Sequence, residues 1–389
     1  MARLPPRGAV RAGTFDLGYL RRFYLWSPSG ANDWARFPAR AVARADVPFH
    51  YPADAARATL CAPSLREVTY SQGRQPRTVI LDDLLARTDT TAFIVVKNGA
   101  LVRETYLNGH RRDAMTRAFS ASKTFAAALV GAALSEGRIE NMDDPFVRYV
   151  PELRGRGYEG ITIRHLLQMT AGFPFTYGRM PWADSPLLYW HTNIRRVILA
   201  GPRLVSSPGE RFQYTSYSSA LLAVVLERVI GTTIAAYFEQ QVWKPIGAEY
   251  DASWSLDHDG AGLEYTASGF NARAIDLVKL GTLYLNGGRW GDEQVLPADW
   301  VAASVSPLPS PLPGYSDEQR RSNVYYKLGW WGHELEGDRF GYFAEGYLGQ
   351  VIYVYPDRQL VIARFGKEPG GPDPVDWPMV LRAVAEKLP

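Results

Sequence analysis

The sequence is poor in residues that several common chemistries need. It holds a single cysteine, Cys61, so no internal disulfide can form and no thiolate cluster can hold zinc. Cys61 precedes the loop-like stretch Ala62-Pro63-Ser64 without an activating neighbour, and reads as a structural or surface thiol rather than a nucleophile. The six histidines never fall at H-E-x-x-H spacing, which sets a zinc protease aside. His165 lies inside a helical run and reads as a satisfied packing residue; Asp257-His258-Asp259 reads as a surface turn. No G-x-S-x-G marks a nucleophile elbow, and there is no phosphate loop. The net charge is only +3, too small to favour nucleic acid or a membrane surface as partner. No apolar run approaches the ~20 residues of a membrane span. Met1-Ala2-Arg3-Leu4-Pro5-Pro6-Arg7 is not followed by the apolar stretch of a secretory leader, so a cytoplasmic enzyme is the expectation.

What remains is ordinary globular composition: 389 residues, 46% hydrophobic and 21% charged, with 22 tyrosines and 11 tryptophans. The first 75 or so residues, rich in Arg, Ala and Pro, read as an irregular N-terminal wrap with short helices. Ala92–Val96 and Leu101–Tyr106 flank Asn98-Gly99 and predict a hairpin. From about Asp143 to Gly260 the strand signal fades. Asp144-Pro145 marks a helix start, Thr162 can cap a helix over Ile163–Gln168, and Ser218–Val229 and Phe238–Trp243 continue the helical theme. Asn271–Tyr284 reads as helix, Ser306–Tyr315 as a Pro-rich loop, and Leu348–Tyr355 with Leu360–Phe365 as a second hairpin. Val375–Lys387 closes the chain as a helix.

Strands therefore lie at both ends and helices in the middle. The expected fold is α+β: an antiparallel sheet flanked by helices, built from residues 76–150 and 261–389, with a mostly helical domain inserted at 151–260 and the wrap over 1–75.

Three stretches carry chemistry. In Phe119-Ser120-Ala121-Ser122-Lys123, Ser120 and Lys123 share a helix face. A serine hydroxyl needs a base to become a nucleophile. A lysine can be that base only when neutral, and the apolar run Phe125–Leu134 offers the burial that lowers its pKa. A serine at a helix start also gains from the positive end of the dipole. By itself the spacing is weak, since random placement of these serines and lysines would give about 0.4 such pairs; an amine opening an otherwise apolar helix is the unusual feature. Phe212-Gln213-Tyr214-Thr215-Ser216 places a tyrosine before a helix, where a phenol beside a lysine cation would ionise more readily and shuttle protons. In Ala344-Glu345-Gly346-Tyr347, glycine at an edge strand would let substrate lie close to the backbone, with the amide of Tyr347 as a second oxyanion donor beside that of Ser120.

Taken in order, these motifs resemble the penicillin-recognising, β-lactamase-like serine hydrolases: S-x-x-K, then a Tyr-x-Asn or Tyr-x-Ser motif, then a K-T-G-like strand. Ile161–Pro174 and Asp276–Gly281 resemble further signatures of that family, and the likeness spans roughly residues 75 to 370. Phe212-Gln213-Tyr214, Leu348-Gly349-Gln350 and Asn32-Asp33-Trp34 are most similar to the 6-aminohexanoate-dimer hydrolases, beside the β-lactamase-like carboxylesterases. The resemblance implies a β-lactamase/transpeptidase-like fold and an acyl-enzyme on Ser120. It implies proton transfer by Lys123 and Tyr214, and an oxyanion hole from the amides of Ser120 and Tyr347.

The departures shape the expected substrate. Ala344 replaces the lysine of K-T-G, and Glu345 would repel a carboxylate, so little β-lactamase or peptidoglycan peptidase activity is expected. Ser216 replaces the Asn of Tyr-x-Asn. Ser216, Gly346, Phe175 and Asp184 are the candidate substrate-binding residues, Asp184 standing in for the group that holds the amine end of a linear amide. The expected activity is hydrolysis of small esters or linear amides with an apolar acyl side, with Trp182, Tyr189, Trp190, Trp330 and Trp331 as candidate cleft residues. No cofactor or metal is expected; the partner is the small-molecule substrate, with a homodimer as an allowed state. The alternatives are a catalytically inactive ligand-binding relative, and a D-amino-acid peptidase or β-lactamase.

Overall fold

The computed structural model describes residues 15–73, 75–308, 312–368 and 374–389. The start of the N-terminal wrap and the reading of Met1–Arg7 fall outside the described residues, as does the centre of the Pro-rich loop.

Seven strands form the main sheet: β1 (Thr90–Lys97), β2 (Ala100–Tyr106), β3 (Val324–Lys327), β4 (Trp330–Glu334), β5 (Phe340–Gly346), β6 (Gln350–Tyr355) and β7 (Leu360–Gly366). Their order is β3-β4-β5-β6-β7-β1-β2, antiparallel throughout. The sheet is thus closed in its middle by pairing β7, near the end of the chain, with β1, near its start. The central strands are apolar on consecutive positions because both faces are covered. Ile94, Val96, Ile352 and Val361 face one core, and Phe93, Val95, Val351 and Ile362 the other.

The second face is covered by the C-terminal helix and the hairpin of Glu67–Gln72 with Gln75–Ile80. The first face carries helices α1 (Ser122–Ser135) and α3 (Ala274–Leu285); beyond them lies the helical region, centred on α2 (Ser216–Ile230). The C-terminal helix is α4 (Trp377–Lys387). Helix α1 is buried from Ser122 to Ala133, as expected of a helix apolar on all sides. Its small residues let neighbours close in: a Cβ on Gly131 would overlap the ring of Trp300. Helix α2 begins with Thr215, whose hydroxyl accepts from the Tyr217 amide at 3.0 Å, and ends at Gly231 in the left-handed conformation.

Several expectations change. The N-terminal segment has the short helices expected of it and, in addition, a strand. It holds helices Leu17–Trp26 and Ala55–Cys61 and the strand Ala39–Val42. That strand enters a second, four-stranded sheet with Ala252–Ser255, Phe270–Arg273 and Met115–Arg117. Two of these strands lie where helix or helical domain was expected. Each is only four residues long, too short for a period-2 pattern to stand out. Phe270–Arg273 also runs straight into α3, so the two read as one helix. Asp257 is fully buried rather than at a surface turn, accepting from the amides of Ile194 and Leu263. Cys61 is a buried thiol whose pKa burial pushes up. His165 completes a capping box with Thr162. Among the described residues no single helix is long and apolar enough to cross a membrane.

Helix α3 lies flat on the sheet through Gly281, where a Cβ would sit 2.8 Å from Val361 and 3.0 Å from Ile352. Gly281→Val forces these methyls apart and should cost about 2–3 kcal/mol, read as a lower denaturation midpoint at unchanged slope. A variant as stable as the parent would show that the helix can lift off the sheet.

Candidate active site

The site is built where the four-stranded sheet, the main sheet and the helical region meet. The strand Met115–Arg117 leads into a single 3-10 turn, Phe119–Ala121, and then into α1. Phe119 takes φ +46°, a costly conformation for a bulky residue and one that clusters at functional sites. Two bonds to Phe270 hold the turn: the Ala118 amide donates to its carbonyl at 2.9 Å, and its amide donates to Ser122 Oγ at 3.0 Å. Ser120 therefore stands at the front of a buried helix, partly open to a cavity.

Lys123 follows one helical turn later and is 4% exposed. Its Nζ lies 3.0 Å from Ser120 Oγ and donates to the Ala267 carbonyl at 2.8 Å. No charged group offsets the burial, which pushes its pKa down to about 7. The amine also lies 5.0 Å from the ring centroid of Tyr214. The Tyr214 phenol hydrogen-bonds with Ser120, while burial, the tyrosines Tyr326 and Tyr177, and Glu345 hold its pKa well above 10. This reverses the electrostatics expected from sequence: the lysine is the group that loses its proton near neutrality, and the phenol keeps its own. Tyr214 is positioned from both sides. The Gln213 amide donates to the Met169 carbonyl at 2.8 Å, and the Phe212 amide to the Pro313 carbonyl at 2.8 Å. Tyr326, Trp331 and Tyr177 pack around its ring.

Beside this cluster strand β5 ends. It is an inner strand rather than an edge, but its pairing with β4 runs from Phe340 and stops at Phe343. The open side of Ala344–Gly346 faces the turn of Ser120. A Cβ on Gly346 would overlap the Ala118 carbonyl, so this glycine admits the protein's own backbone rather than a substrate. Its neighbour Tyr347 is half exposed and meets the Phe119 ring edge-on at 5.6 Å.

A cavity of about 640 Å³ opens at Ser120 and is lined mainly by apolar groups, among them Phe119, Leu188, Tyr189, Trp190, Tyr265 and Tyr347. Ser216 lines it and hydrogen-bonds with Tyr177. Phe175 and Asp184 do not line it. They border a separate small recess, where Asp184 is consumed by the amide and hydroxyl of Thr176, each at 2.7 Å. Of the aromatic candidates, Tyr189 and Trp190 reach the cavity, Trp182 is exposed, and Trp330 and Trp331 are buried in the sheet cores.

Sequence reasoning missed three contributors. Ala267 acts through its carbonyl, which no side-chain pattern reveals. Tyr177 was visible only as one tyrosine of 22. Phe23 and Pro28, from the N-terminal segment, form an outer wall. The Asn32-Asp33-Trp34 motif belongs to that wall: buried Asp33 accepts from Tyr189 Oη at 2.8 Å and from the Gly30 amide at 2.9 Å. Among the described residues no cluster of His, Cys, Asp and Glu could hold a metal ion.

Comparison with known proteins places the chain in a family. The profile of the Beta-lactamase family matches residues 80–386. The 6-aminohexanoate-dimer hydrolase of Paenarthrobacter ureafaciens is 28% identical over 320 residues, 76% of this chain and 77% of that one. A Bacillus anthracis protein provisionally named a 6-aminohexanoate-dimer hydrolase superposes with a TM-score of 0.76 at 24% identity, over 96% of this chain and 93% of its own. A penicillin-binding protein from Bacillus halodurans gives 0.61 at 16% identity, over 78% and 98%. These two structural likenesses speak to fold.

The buried amine has a consequence for stability. Because its folded pKa lies below the unfolded 10.5, the unfolded chain binds the extra proton between about pH 7 and 10.5. The penalty of burying Lys123 is therefore full below pH 7 and fades as pH rises toward 10.5. Lys123→Met should stabilise the protein by about 2–4 kcal/mol at pH 7, an advantage that shrinks steadily toward pH 10.5 in chemical denaturation. An advantage that stays constant with pH would mean that the amine is not neutralised on burial.

Proposed function

The chain belongs to the Beta-lactamase family of serine hydrolases, and from that footing we propose that it cleaves small esters or linear amides through an acyl-enzyme on Ser120. The observation that carries the reading is a buried lysine amine, its pKa brought down to about 7, within hydrogen-bond distance of a serine hydroxyl at the mouth of a largely apolar cavity. Lys123 takes the Ser120 proton as Oγ attacks the substrate carbonyl. The amides of Ser120 and Tyr347 receive the developing oxyanion. The Tyr214 phenol, kept protonated, gives its proton to the departing alkoxide or amine and is recharged by the lysine. Water then enters in place of the leaving group, and the same transfers run in reverse to release the acid. Ser216 and Tyr177 border the acyl path. Phe175 and Asp184 support the wall from behind rather than touching substrate.

The cavity favours uncharged apolar groups. Ala344 offers no cation to a carboxylate, and burial beside Asp376 raises Glu345 to about 7, so this strand cannot grip the acid of a β-lactam. The P. ureafaciens hydrolase supports linear amides as one substrate class. The lining of Phe119, Tyr189 and Tyr265 suits esters with aromatic or medium-length alkyl groups equally well.

A fluorophosphonate should label the protein at Ser120, located by mass spectrometry, and Ser120→Ala should abolish both labelling and p-nitrophenyl ester hydrolysis. An unlabelled parent chain would instead support a ligand-binding relative without catalysis. Tyr214→Phe should lower kcat by about 10²–10⁴. The log of kcat/KM against pH should fall with unit slope below about pH 7, as Lys123 gains its proton; a flat profile from pH 5 to 9 would remove Lys123 as base. A chromogenic cephalosporin should not be turned over.

A further inference from the structure

The motif Leu348-Gly349-Gln350 has no part in the proton transfers, yet buried side chains hold its backbone from several sides. Gly346 pairs with Gln350, leaving Tyr347, Leu348 and Gly349 as a three-residue hairpin loop. Leu348 has φ +65° and Gly349 φ +73°, so two consecutive residues are left-handed and one of them bears a branched side chain. Such a loop reverts to easier conformations unless its surroundings hold it.

Two buried side chains hold it. Arg364, on β7, is fully buried; Asp89 acts on its charge from a distance, and its hydrogen-bond partners are carbonyls and a hydroxyl. Its Nη1 donates to the carbonyls of Leu348 at 2.7 Å and Gly349 at 3.0 Å. Its Nη2 donates to the carbonyls of Thr88 and Glu368, and its Nε to Thr90 Oγ1. All five N–H donors of the guanidinium are thus used, and its flat face lies 4.2 Å from the ring of Trp377. Gln350 completes the lock. Its Nε2 donates to the Tyr347 carbonyl at 3.2 Å and to the Gly366 carbonyl at 2.7 Å, and its Oε1 accepts from the Gly366 amide at 3.2 Å. A Cβ on Gly349 would overlap both Trp377 and Arg364, so the loop, the guanidinium and the indole fit together only with glycine there.

A buried arginine is an expensive way to fix a surface loop if stability is the only result. We propose that Arg364 and Gln350 are positioning residues for the oxyanion hole: by clamping the carbonyls of Tyr347, Leu348 and Gly349 they fix the orientation of the Tyr347 amide toward the carbonyl attacked by Ser120. The proposal rests on the acyl-enzyme reading above. The backbone amide has no side chain of its own to aim it, and an oxyanion donor acts only if it is rigid before charge develops.

The test uses the full-length protein with Arg364→Lys and Gln350→Ala made separately. Lysine keeps the charge but, as a single donor centre, cannot serve acceptors spread around a planar fork. On a p-nitrophenyl ester, each variant should lose about 10- to 100-fold in kcat, with KM changed less than about threefold and the acid limb of kcat/KM still near pH 7. Fluorophosphonate labelling, which also builds negative charge on an oxygen facing the hole, should slow by the same factor. An unchanged acid limb shows that the Ser120–Lys123 pair is intact, a readout that general unfolding would not spare. The proposal is overturned if kcat holds in folded protein, if the loss falls in KM, or if the acid limb moves with it. Should either variant not fold, Gly349→Ala tests the same loop from within and should give the same split. A parent enzyme that no fluorophosphonate labels would remove the acyl-enzyme reading and this proposal with it. A labelled parent with variants of parental kcat would remove the clamp alone.

Discussion

Everything in this molecule turns on one amine kept out of water. Lys123 is the one charged residue of a helix made otherwise of apolar and small or hydroxyl side chains, with a hydroxyl and a carbonyl as its close polar partners. Burial without a counter-charge lowers its proton affinity to the neutral range, which is what the proposed mechanism asks of a lysine that acts as a base. The architecture serves that condition. Helix α1 must be buried on all sides, so it is sandwiched between the sheet and α2. The sheet must be closed behind it, so the two ends of the chain meet at the pairing of β7 with β1. A carboxylate beside Lys123 would stabilise the fold and hold the amine charged; its place is taken by a backbone carbonyl, which accepts a hydrogen bond without adding charge.

The same logic explains where the backbone departs from easy conformations. Phe119 precedes the serine at φ +46°, and Leu348 follows Tyr347 at φ +65°. Both flank the amides assigned to the oxyanion, and both are held by contacts from other elements: Phe270 on one side, Arg364 and Gln350 on the other. Gly346 brings the two turns together, since any side chain there would meet Ala118. Rigidity at this junction is thus distributed over two sheets and a helix start, with the strain stored locally and resisted from outside.

How much of this could be read in advance depended on the kind of signal. The sheet from both chain ends followed from apolar runs and an Asn-Gly turn, because period and turn chemistry are local. Ser120 and Lys123 were legible because three residues on a helix fix a distance. Tyr214 was legible only through its likeness to known motifs, since no local rule brings residue 214 to residue 120. The short strands at 39–42 and 252–255 were not legible, because four residues cannot display a pattern. Ala267 was invisible in principle, because it contributes a carbonyl that every residue has. Asp184 was misplaced for the opposite reason: a carboxylate near an expected cleft suggests a ligand, and only coordinates reveal that Thr176 already satisfies it.

The proposed preference for neutral substrates has its physical basis in the strand facing the serine. A cation on the strand facing the serine would attract a carboxylate and, by repulsion, depress the Lys123 pKa further. Here that strand carries Ala344 and Glu345 instead, and Glu345 is itself pushed up to about 7 by burial and by Asp376. Burial thus drives both groups toward neutrality, the amine downward and the carboxyl upward. This strand offers a carboxylate no cation, and Arg179 is the cation in the cavity lining. Selection is left to shape and to the removal of apolar surface from water, which is what the aromatic cavity supplies. Asp33 holds Tyr189 in that wall, so the shape of the cavity depends on an N-terminal segment outside the part of the chain that the family profile covers.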